Sequence, residues 1–222
     1  MSLGLQVVAI DGPSGSGKST LAKGLARALG WRHLNTGAMY RAVTLAFLRS
    51  AVDLDSAGQV ESALASLELR TDAEERVFLG DEDVSAEIRG PDVEALVSAV
   101  SAIPAVRSRL VELQREEARN GPLVAEGRDM TSVVFPDARW RFYLDASVRE
   151  RAARRKGDFD KAGRDEALPS VEAELERRDA LDSSRAHSPL RLVAGVERID
   201  STALDAQGVL ALVLAKIQED PA

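Results

Sequence analysis

Apolar and polar positions follow two periods along the first fifty residues. An apolar run at 5–10 predicts a buried strand. Residues 19–29 place their apolar side chains at helical spacing, and Gly30 stands where a helix would end. A strand-like segment at 31–34 and a helix at 38–50 follow. This alternation predicts a parallel α/β sheet with ligands at the carboxyl ends of its strands.

The pattern changes in the middle of the chain. A helix predicted at 56–66 precedes two short strands, 67–70 and 76–79, on either side of a polar turn. A hairpin does not fit a β-α-β order. The segment at about 60–100 is therefore predicted to be an insertion.

The α/β pattern resumes in the second half. Pro91 and Pro104 each begin a predicted helix, and apolar segments at 123–126 and 140–144 predict further strands. The remaining predictions are a basic helix, a polar loop, a charged helix, a strand and a closing helix, at 147–156, 157–166, 170–184, 198–200 and 204–217.

Composition narrows the class of protein. The 222 residues suit one domain, and a hydrophobic content of 45% suffices for a core. Acids outnumber bases by 36 to 29, which argues against a general binder of nucleic acid or membrane surfaces. The absence of cysteine excludes disulfides, thiol catalysis and cysteine zinc sites. No signal peptide or membrane span is recognisable, so we expect a soluble cytoplasmic protein.

A phosphate-loop motif, G-x-x-x-x-G-K-[ST], lies between the first strand and the first helix. Its glycines let the backbone N–H groups turn toward an anion, and the helix adds its positive dipole end. Lys18 can reach the β- and γ-phosphates, and the Ser19 hydroxyl can bind Mg²⁺. The predicted ATP-binding residues are Gly12, Pro13, Ser14, Gly15, Ser16, Gly17, Lys18, Ser19 and Thr20. An ordinary glycine-rich turn is the alternative, and the motif alone indicates only nucleoside triphosphate binding.

Two further groups stand where α/β proteins bind anions. Tyr40 and Arg41 fall in the first turn of the second predicted helix, where a cation opposes the helix dipole unless an anion binds. Arg128 and Asp129 follow a predicted strand; the arginine can bind a phosphate and the carboxylate can accept from an amino group. A solvent-facing arginine and an ordinary loop pair are the respective alternatives.

Three arginines, Arg151, Arg154 and Arg155, share one face of the basic helix. Their mutual repulsion favours an anionic partner, and we interpret the helix as part of a mobile lid that closes on a transferring phosphoryl group. Acids in the following loop leave a solvated face as the alternative.

The charged helix carries a second stripe of alternating sign, formed by Arg178, Asp182 and Arg185. By themselves these residues are typical of surface salt bridges. His33 and His187 stand outside any ligand-like cluster, and we expect both to be structural.

Several segments, taken together, resemble the bacterial cytidylate kinases, a family of nucleoside monophosphate kinases. The most specific are Glu-Gly-Arg-Asp-Met at 126–130 and the insertion motif at 80–89. The others are Ile-Asp-Gly-Pro-Ser-Gly-Ser-Gly-Lys at 10–18, Thr-Gly-Ala-Met-Tyr-Arg at 36–41, Val-Val-Phe-Pro-Asp-Ala at 133–138, Leu-Asp-Ala-Ser at 144–147, and Arg-Ala and Ser-Pro-Leu at 185–190. The resemblance covers about 5–218.

The resemblance implies the three-layer P-loop NTPase fold, a central parallel sheet flanked by helices, in a single domain over 1–222. Its core would comprise 1–35, 103–147 and 186–222. The monophosphate-binding part would be 36–102, the lid about 148–168, and a helix at about 169–185 would close on the substrate.

The resemblance also implies transfer of the ATP γ-phosphoryl group to CMP or dCMP with Mg²⁺. The cytosine would contact Ser98, Arg107 and Asp129; the acceptor phosphate would contact Arg41, Arg128 and Arg185; and the sugar would contact Thr36, Arg178 and Asp182. Tyr40 would be a further CMP-binding residue. The implied catalytic residues are Lys18, Arg128, Arg151, Arg154 and Arg155, with Ser19 as the metal ligand. Small nucleotides would be the partners of a monomer, without nucleic acid or membrane.

The sequence departs from the family pattern at two positions. Asn35 stands where many relatives have aspartate, and Thr131 replaces a usual glycine, which bears on the loop geometry and on the aim of Asp129. Two other functions stay open from the residues: a kinase for another acceptor, such as UMP, AMP or shikimate, and a regulatory module that binds ATP without phosphorylating a metabolite.

Overall fold

The computed structural model describes residues 6–72, 74–161, 163–185 and 187–219. Of the predicted elements and motifs, Leu5 of the first strand, Ala73 of the polar turn in the hairpin, Ala162 of the polar loop and Ala186 of the Arg-Ala motif lie outside that range.

The first four elements follow the predicted order. Strand β1 (Val7–Asp11) leads through the phosphate loop into α1 (Lys18–Leu29), and β2 (Arg32–Asn35) leads directly into α2 (Thr36–Arg49). Helix α2 begins two residues earlier than predicted, because the Asn35 side chain accepts from the Ala38 N–H and caps the helix there. Arg41 therefore lies in the second turn of α2. The prediction that it falls in the first turn, where a cation opposes the helix dipole, was wrong.

The insertion contains the predicted hairpin and one more strand. After α3 (Ala57–Ala65), strands β3 (Leu69–Thr71) and β4 (Val77–Leu79) pair antiparallel, and β5 (Glu82–Asp83) pairs with β4. Two exposed acidic residues give no strand signal in the sequence, so β5 was not predicted.

Two helices that begin at prolines connect the insertion to the core. A 3₁₀ turn (Glu87–Arg89) precedes α4 (Pro91–Val100), and α5 (Pro104–Arg119) follows after a short turn. Both helices start at the predicted prolines, since proline at the first position has no N–H that the helix would need.

The second half supplies the rest of the sheet. Strand β6 (Leu123–Gly127) is followed by a π-helical turn (Met130–Val134) and by β7 (Trp140–Asp145). The sequence did not predict the π-helical turn, which starts directly after Asp129 and shapes the loop that carries Arg128 and Asp129.

The last four elements are α6 (Val148–Lys161), α7 (Leu168–Ser184), β8 (Glu197–Asp200) and α8 (Ala206–Glu219). Helix α6 continues well beyond its predicted end at 156, through Gly157. The cause is tertiary: Phe159 is buried with side chains of α7, and this packing outweighs the low helix propensity of glycine.

The sheet is entirely parallel in the order β2-β6-β1-β7-β8. Val8 and Ile10 pack in one hydrophobic cluster with α1 and α8, whereas Val7 and Ala9 pack in another with α2, α3 and α5. This alternation follows from the two-residue period of a strand and confirms the predicted three-layer fold. Within the described residues no helix is both long and apolar enough to cross a membrane.

Candidate active site

The phosphate loop turns sharply at the carboxyl end of β1. Gly12, Gly15 and Gly17 all have positive φ, at 151°, 76° and 92°. A Cβ atom on Gly12 would overlap the carbonyl oxygen of Leu144 in β7. Glycine is therefore required at position 12 by conformation and by the close approach of two backbones.

Lys18 is almost fully buried at the start of α1. Its Nζ donates to the carbonyl oxygen of Pro13 at 2.6 Å, and burial lowers the pKa of its ammonium group well below the usual value. The ammonium thus lies within the loop, on the side that faces a large cavity.

Ser19 meets an acidic side chain that the sequence analysis did not assign to the site. The Ser19 hydroxyl donates to Glu126 Oε2 at 2.9 Å, and Glu126 Oε1 lies 3.4 Å from His33 Nε2. Glu126 is buried on β6, whose register places it beside Ile10 of β1. The sequence feature that could have identified Glu126 as a site residue is its position at the carboxyl end of a predicted buried strand.

His33 lies between two carboxylates, those of Glu75 and Glu126. Its Nδ1 lies 2.8 Å from Glu75 Oε1, and Glu75 also pairs with Lys23 at 2.5 Å. Burial disfavours the protonated ring, yet Glu126 and Glu75 outweigh this and raise the pKa of His33. The insertion hairpin is thereby joined to the core beside the phosphate loop.

A cavity of about 650 Å³ extends from the phosphate loop between α2, α4, the end of β6, α6 and α7. Ten basic and four acidic side chains line it, in a chain whose net charge is −7. The basic residues are Lys18, Arg41, Arg89, Arg107, Arg128, Arg154, Arg155, Lys161, Arg178 and Arg185. Such a concentration of positive charge in a concave site favours anionic ligands.

The end of the cavity near α5 contains a buried ion pair. Arg107 donates to Asp129 Oδ2, and both side chains are almost fully buried. Arg107 also donates to the Ser101 carbonyl oxygen at 2.9 Å and lies 5.4 Å from the centre of the Tyr40 ring. Asp129 is thereby held in place while it still lines the cavity.

The predicted stripe on α7 faces the cavity. Asp182 accepts from Arg128 Nε at 2.9 Å and pairs with Arg185 at 2.5 Å. Burial opposes ionisation of Asp182, but these two arginines hold the pKa of its carboxyl below the usual value. Burial, together with Arg128, lowers the pKa of Arg178 to about 10, and its Nε has no hydrogen-bond partner within the part of the chain that the structure describes.

Residues at the start of α2 complete this wall. The Thr36 hydroxyl donates to the Glu126 carbonyl oxygen at 2.7 Å. Arg41 lies 3.9 Å from Glu94, and burial lowers the pKa of its guanidinium. Thr36, Tyr40 and Arg41 all line the cavity.

The three arginines of α6 occupy three different environments. Arg151 lies outside the cavity lining: it is buried, donates to the carbonyl oxygens of Ser14 and Ala146 at 3.0 Å each, and pairs with Asp179 at 2.7 Å. Arg154 and Arg155 line the cavity.

The two cavity arginines of α6 are anchored at opposite sides. Arg154 donates to the carbonyl oxygens of Ser16 at 3.4 Å and Ser201 at 2.7 Å. Arg155 pairs with Glu94 of α4 and lies 4.9 Å from the centre of the Phe159 ring. One arginine thus lies at the phosphate loop and the other at the insertion side.

The structure does not bring every predicted site residue to the cavity surface. Ser98 is half-buried on α4 and lies outside the lining, whereas Val97 and Ser101 belong to it. Ser101 was not predicted; its hydroxyl accepts from Arg185 at 3.1 Å. Gly12, Pro13 and Ser16 shape the phosphate loop from behind the lining.

A phosphate loop that opens from a parallel sheet into an arginine-rich cavity defines the class of P-loop phosphotransferases. The family model for cytidylate kinase matches residues 8–219. The chain belongs to the cytidylate kinase family.

Comparison with individual proteins supports the same family. The chain is 52% identical to a cytidylate kinase of Mycobacterium avium (strain 104) over 88% of each chain. It is 44% identical to a cytidylate kinase of Caldanaerobacter subterraneus subsp. tengcongensis, over 96% of this chain and 95% of that one. The solved structure of an uncharacterized protein from Eubacterium ventriosum matches with a TM-score of 0.51 at 13% identity, over 97% and 99% of the chains, and supports the fold alone.

Proposed function

We propose that this chain transfers the γ-phosphoryl group of ATP to CMP or dCMP, giving ADP and CDP or dCDP. The observation that carries the proposal is one continuous cavity, with the phosphate loop at one end and the Asp129–Arg107 pair at the other. The family and the names of its members give the substrate class.

The phosphate loop would hold ATP. Lys18 lies where its ammonium can follow the β- and γ-phosphates, and the first N–H groups of α1 face the same space. Binding of the triphosphate would give Lys18 an anionic partner in place of the Pro13 carbonyl that it contacts here.

The residues at Ser19 fit a magnesium ion. A hydroxyl and a buried carboxylate, 2.9 Å apart, are hard oxygen donors of the kind that Mg²⁺ takes together with substrate phosphates. Ser19 and Glu126 would hold the ion, which when bound supplies charge neutralisation at the transferring group. His33 contacts the Glu126 carboxylate, and the Thr36 hydroxyl donates to the Glu126 backbone carbonyl, so both parts of the residue are held in place.

The acceptor monophosphate would lie among Arg41, Arg128 and Arg185. Arg128 and Arg185 are already oriented by their shared partner Asp182. Burial, and after it the charge of Arg128, lowers the pKa of Arg178; a bound dianion would stabilise the charge of its guanidinium. Thr36, Arg178 and Asp182, which also line the cavity, would contact the sugar.

Asp129 would read the base. A carboxylate accepts from the exocyclic amine of cytosine, whereas uracil presents a carbonyl oxygen at the same position and is repelled. Arg107 holds the carboxylate, and the ring of Tyr40 borders the same end of the cavity. Ser101, which lines the cavity, joins Ser98 as a candidate contact on the α4 side.

Catalysis in this arrangement is positioning and charge stabilisation. The acceptor is an ionised phosphate oxygen, so no general base is needed. Lys18, Arg128, Arg154 and Arg155 line the cavity and would supply positive charge to the transferring group. Arg151 would contribute indirectly, through the loop carbonyl of Ser14 that it contacts.

The test is ADP production from Mg²⁺–ATP with CMP, dCMP, UMP and AMP supplied separately. We expect rapid turnover with CMP and dCMP and slow turnover with UMP and AMP. Equal turnover with UMP would refute the role of Asp129 and leave the kinase standing. Absence of turnover with all four would refute the proposed function.

A further inference from the structure

A buried carboxylate connects the phosphate loop to the loop that carries Arg128 and Asp129. Asp11, the last residue of β1, is fully buried. Its Oδ1 accepts from the Met130 N–H at 2.7 Å, and its Oδ2 accepts from the Thr131 N–H at 2.8 Å and the Thr131 hydroxyl at 2.6 Å. One side chain thus fixes the two residues that follow Asp129.

The π-helical turn holds the same peptide unit, between Asp129 and Met130, through its carbonyl oxygen. The carbonyl oxygen of Asp129 accepts from the N–H groups of Val133 at 2.9 Å and Val134 at 3.1 Å. Together with the bond from the Met130 N–H to Asp11, these bonds fix both the carbonyl and the N–H of the peptide unit that joins Asp129 to Met130. A shift of Met130 or Thr131 would therefore move Asp129 relative to the cavity.

Thr131 contributes two bonds to Asp11, one from its backbone N–H and one from its hydroxyl. A glycine at this position would keep the backbone bond and lack the hydroxyl bond. The Thr131 side chain is buried, with 1% of the residue exposed, so its hydroxyl has no water to replace Asp11. A bond to an ionised carboxylate inside the protein is among the stronger hydrogen bonds.

We propose that Asp11 and Thr131 are positioning residues that set the aim of Asp129 and thereby the preference for cytosine over uracil. Neither side chain belongs to the cavity lining, so each acts through the loop and not through contact with the substrate. The inference rests on the proposed role of Asp129 in reading the base.

The test compares Thr131→Val, which keeps the shape and loses the hydroxyl, with Thr131→Ser, which keeps the hydroxyl. For Thr131→Val we expect the ratio of kcat/KM for CMP to that for UMP to fall about tenfold. The KM for CMP should rise while the KM for ATP stays within about twofold of the wild-type value. Thr131→Ser should keep the wild-type ratio.

Asp11→Asn serves as the second variant, because it keeps the volume and replaces one acceptor oxygen with a donor. If the two side chains act through each other, Thr131→Val added to Asp11→Asn should change the CMP to UMP ratio far less than it does alone. Additive losses would overturn the proposal. Circular dichroism melting confirms folding, and should Thr131→Val not fold, Asp11→Asn alone decides by the same ratio.

The outcomes separate this inference from the function on which it rests. A wild-type ratio in Thr131→Val, or an equal rise of both KM values, would overturn the positioning role while CMP turnover by the wild-type protein stands. Absence of CMP turnover in the wild-type protein would refute the function itself.

Discussion

Arg151 provides the sharpest test of how the structure divides the arginines of α6. Sequence spacing groups it with Arg154 and Arg155 as a residue that faces the transferring phosphoryl group. In the structure it ties three segments together, through the carbonyl oxygens of Ser14 and Ala146 and the carboxylate of Asp179. We therefore expect the main effect of Arg151→Met to be a loss of folding stability and not a loss of kcat.

The size of this loss in the free energy of unfolding follows from the burial of Arg151 and Asp179. The side chain of Arg151 is 4% exposed and that of Asp179 is 20% exposed, so removal of the arginine leaves a largely buried carboxylate without its partner. Breaking such a pair costs about 3–5 kcal/mol, which includes the loss of the hydrogen bonds to the two carbonyls. For a chain of this length that corresponds to a fall in Tm of about 6–20 °C.

Arg155→Met is the matched control. Its partner Glu94 stays within 3.9 Å of Arg41 and 3.6 Å of Arg164, so the carboxylate is not left unpaired, and we expect a loss of about 1 kcal/mol. Because Arg155 lines the cavity, kcat should instead fall about 100-fold. The assays are urea unfolding, thermal melting and steady-state kinetics with CMP.

The opposite pattern would refute the reasoning. If Arg151→Met keeps a Tm within about 2 °C of the wild type and loses about 100-fold in kcat, the arginine acts on the reacting group, and its contacts to Ser14 and Asp179 do not describe its role.

Four further predictions concern the other parts of the site. Asp129→Ala should lower kcat/KM for CMP about 100-fold while equilibrium binding of ATP changes little, since the residue lies at the far end of the cavity; equal losses for both nucleotides would argue against base reading. Glu126→Gln should raise the Mg²⁺ concentration for half-maximal ADP release about tenfold, with CMP binding measured without metal as the unaffected control. Gly12→Ala should weaken ATP binding at least tenfold by calorimetry, because its Cβ would overlap the Leu144 carbonyl; Gly58→Ala, with open space around the position, is the neutral control. Burial raises the pKa of Asp11 from 3.8 to about 6, so its contribution to stability is complete below about pH 4 and is lost as the pH rises through about 6. Measured by urea unfolding, the stability of the wild type relative to Asp11→Asn should therefore fall by about 3 kcal/mol between about pH 4 and pH 7, and a difference that does not change with pH would contradict it.

The elements that local sequence controls could be predicted. The phosphate loop follows from glycines that permit positive φ, and helices α4 and α5 follow from prolines at their first positions. The end of α6 could not be predicted in this way, because it depends on Phe159 packing against α7, nor could β5, whose two residues are held by pairing with β4. In both cases a distant segment decides the local structure.

The same limit applies to the site. Spacing places Arg151, Arg154 and Arg155 on one face of a helix, which is correct, but their partners Asp179, Ser201 and Glu94 lie far away in sequence. Glu126 accepts a hydrogen bond from the Ser19 hydroxyl, although the two residues are 107 positions apart in the sequence. The pairing of β1 with β6 brings them together. A motif therefore predicts which residue types a site contains. Which of them contact the ligand, and which hold other residues in place, depends on tertiary packing.

The electrostatic design of the cavity explains why these supports are needed. A chain with a net charge of −7 gathers ten basic side chains around one cavity, and the four acidic side chains of its described lining, Glu126, Asp129, Asp158 and Asp182, offset only part of their repulsion. Asp182 is shared by Arg128 and Arg185, and Arg178, beside them, has a lowered pKa because burial and Arg128 oppose its charge. Part of this opposition disappears when phosphate groups enter, so the binding of anionic substrates is coupled to the free energy of holding α7 against the phosphate loop. Arg151, which joins Asp179 of α7 to the loop carbonyl of Ser14, lies on that connection. Its removal should therefore weaken the coupling as well as the fold.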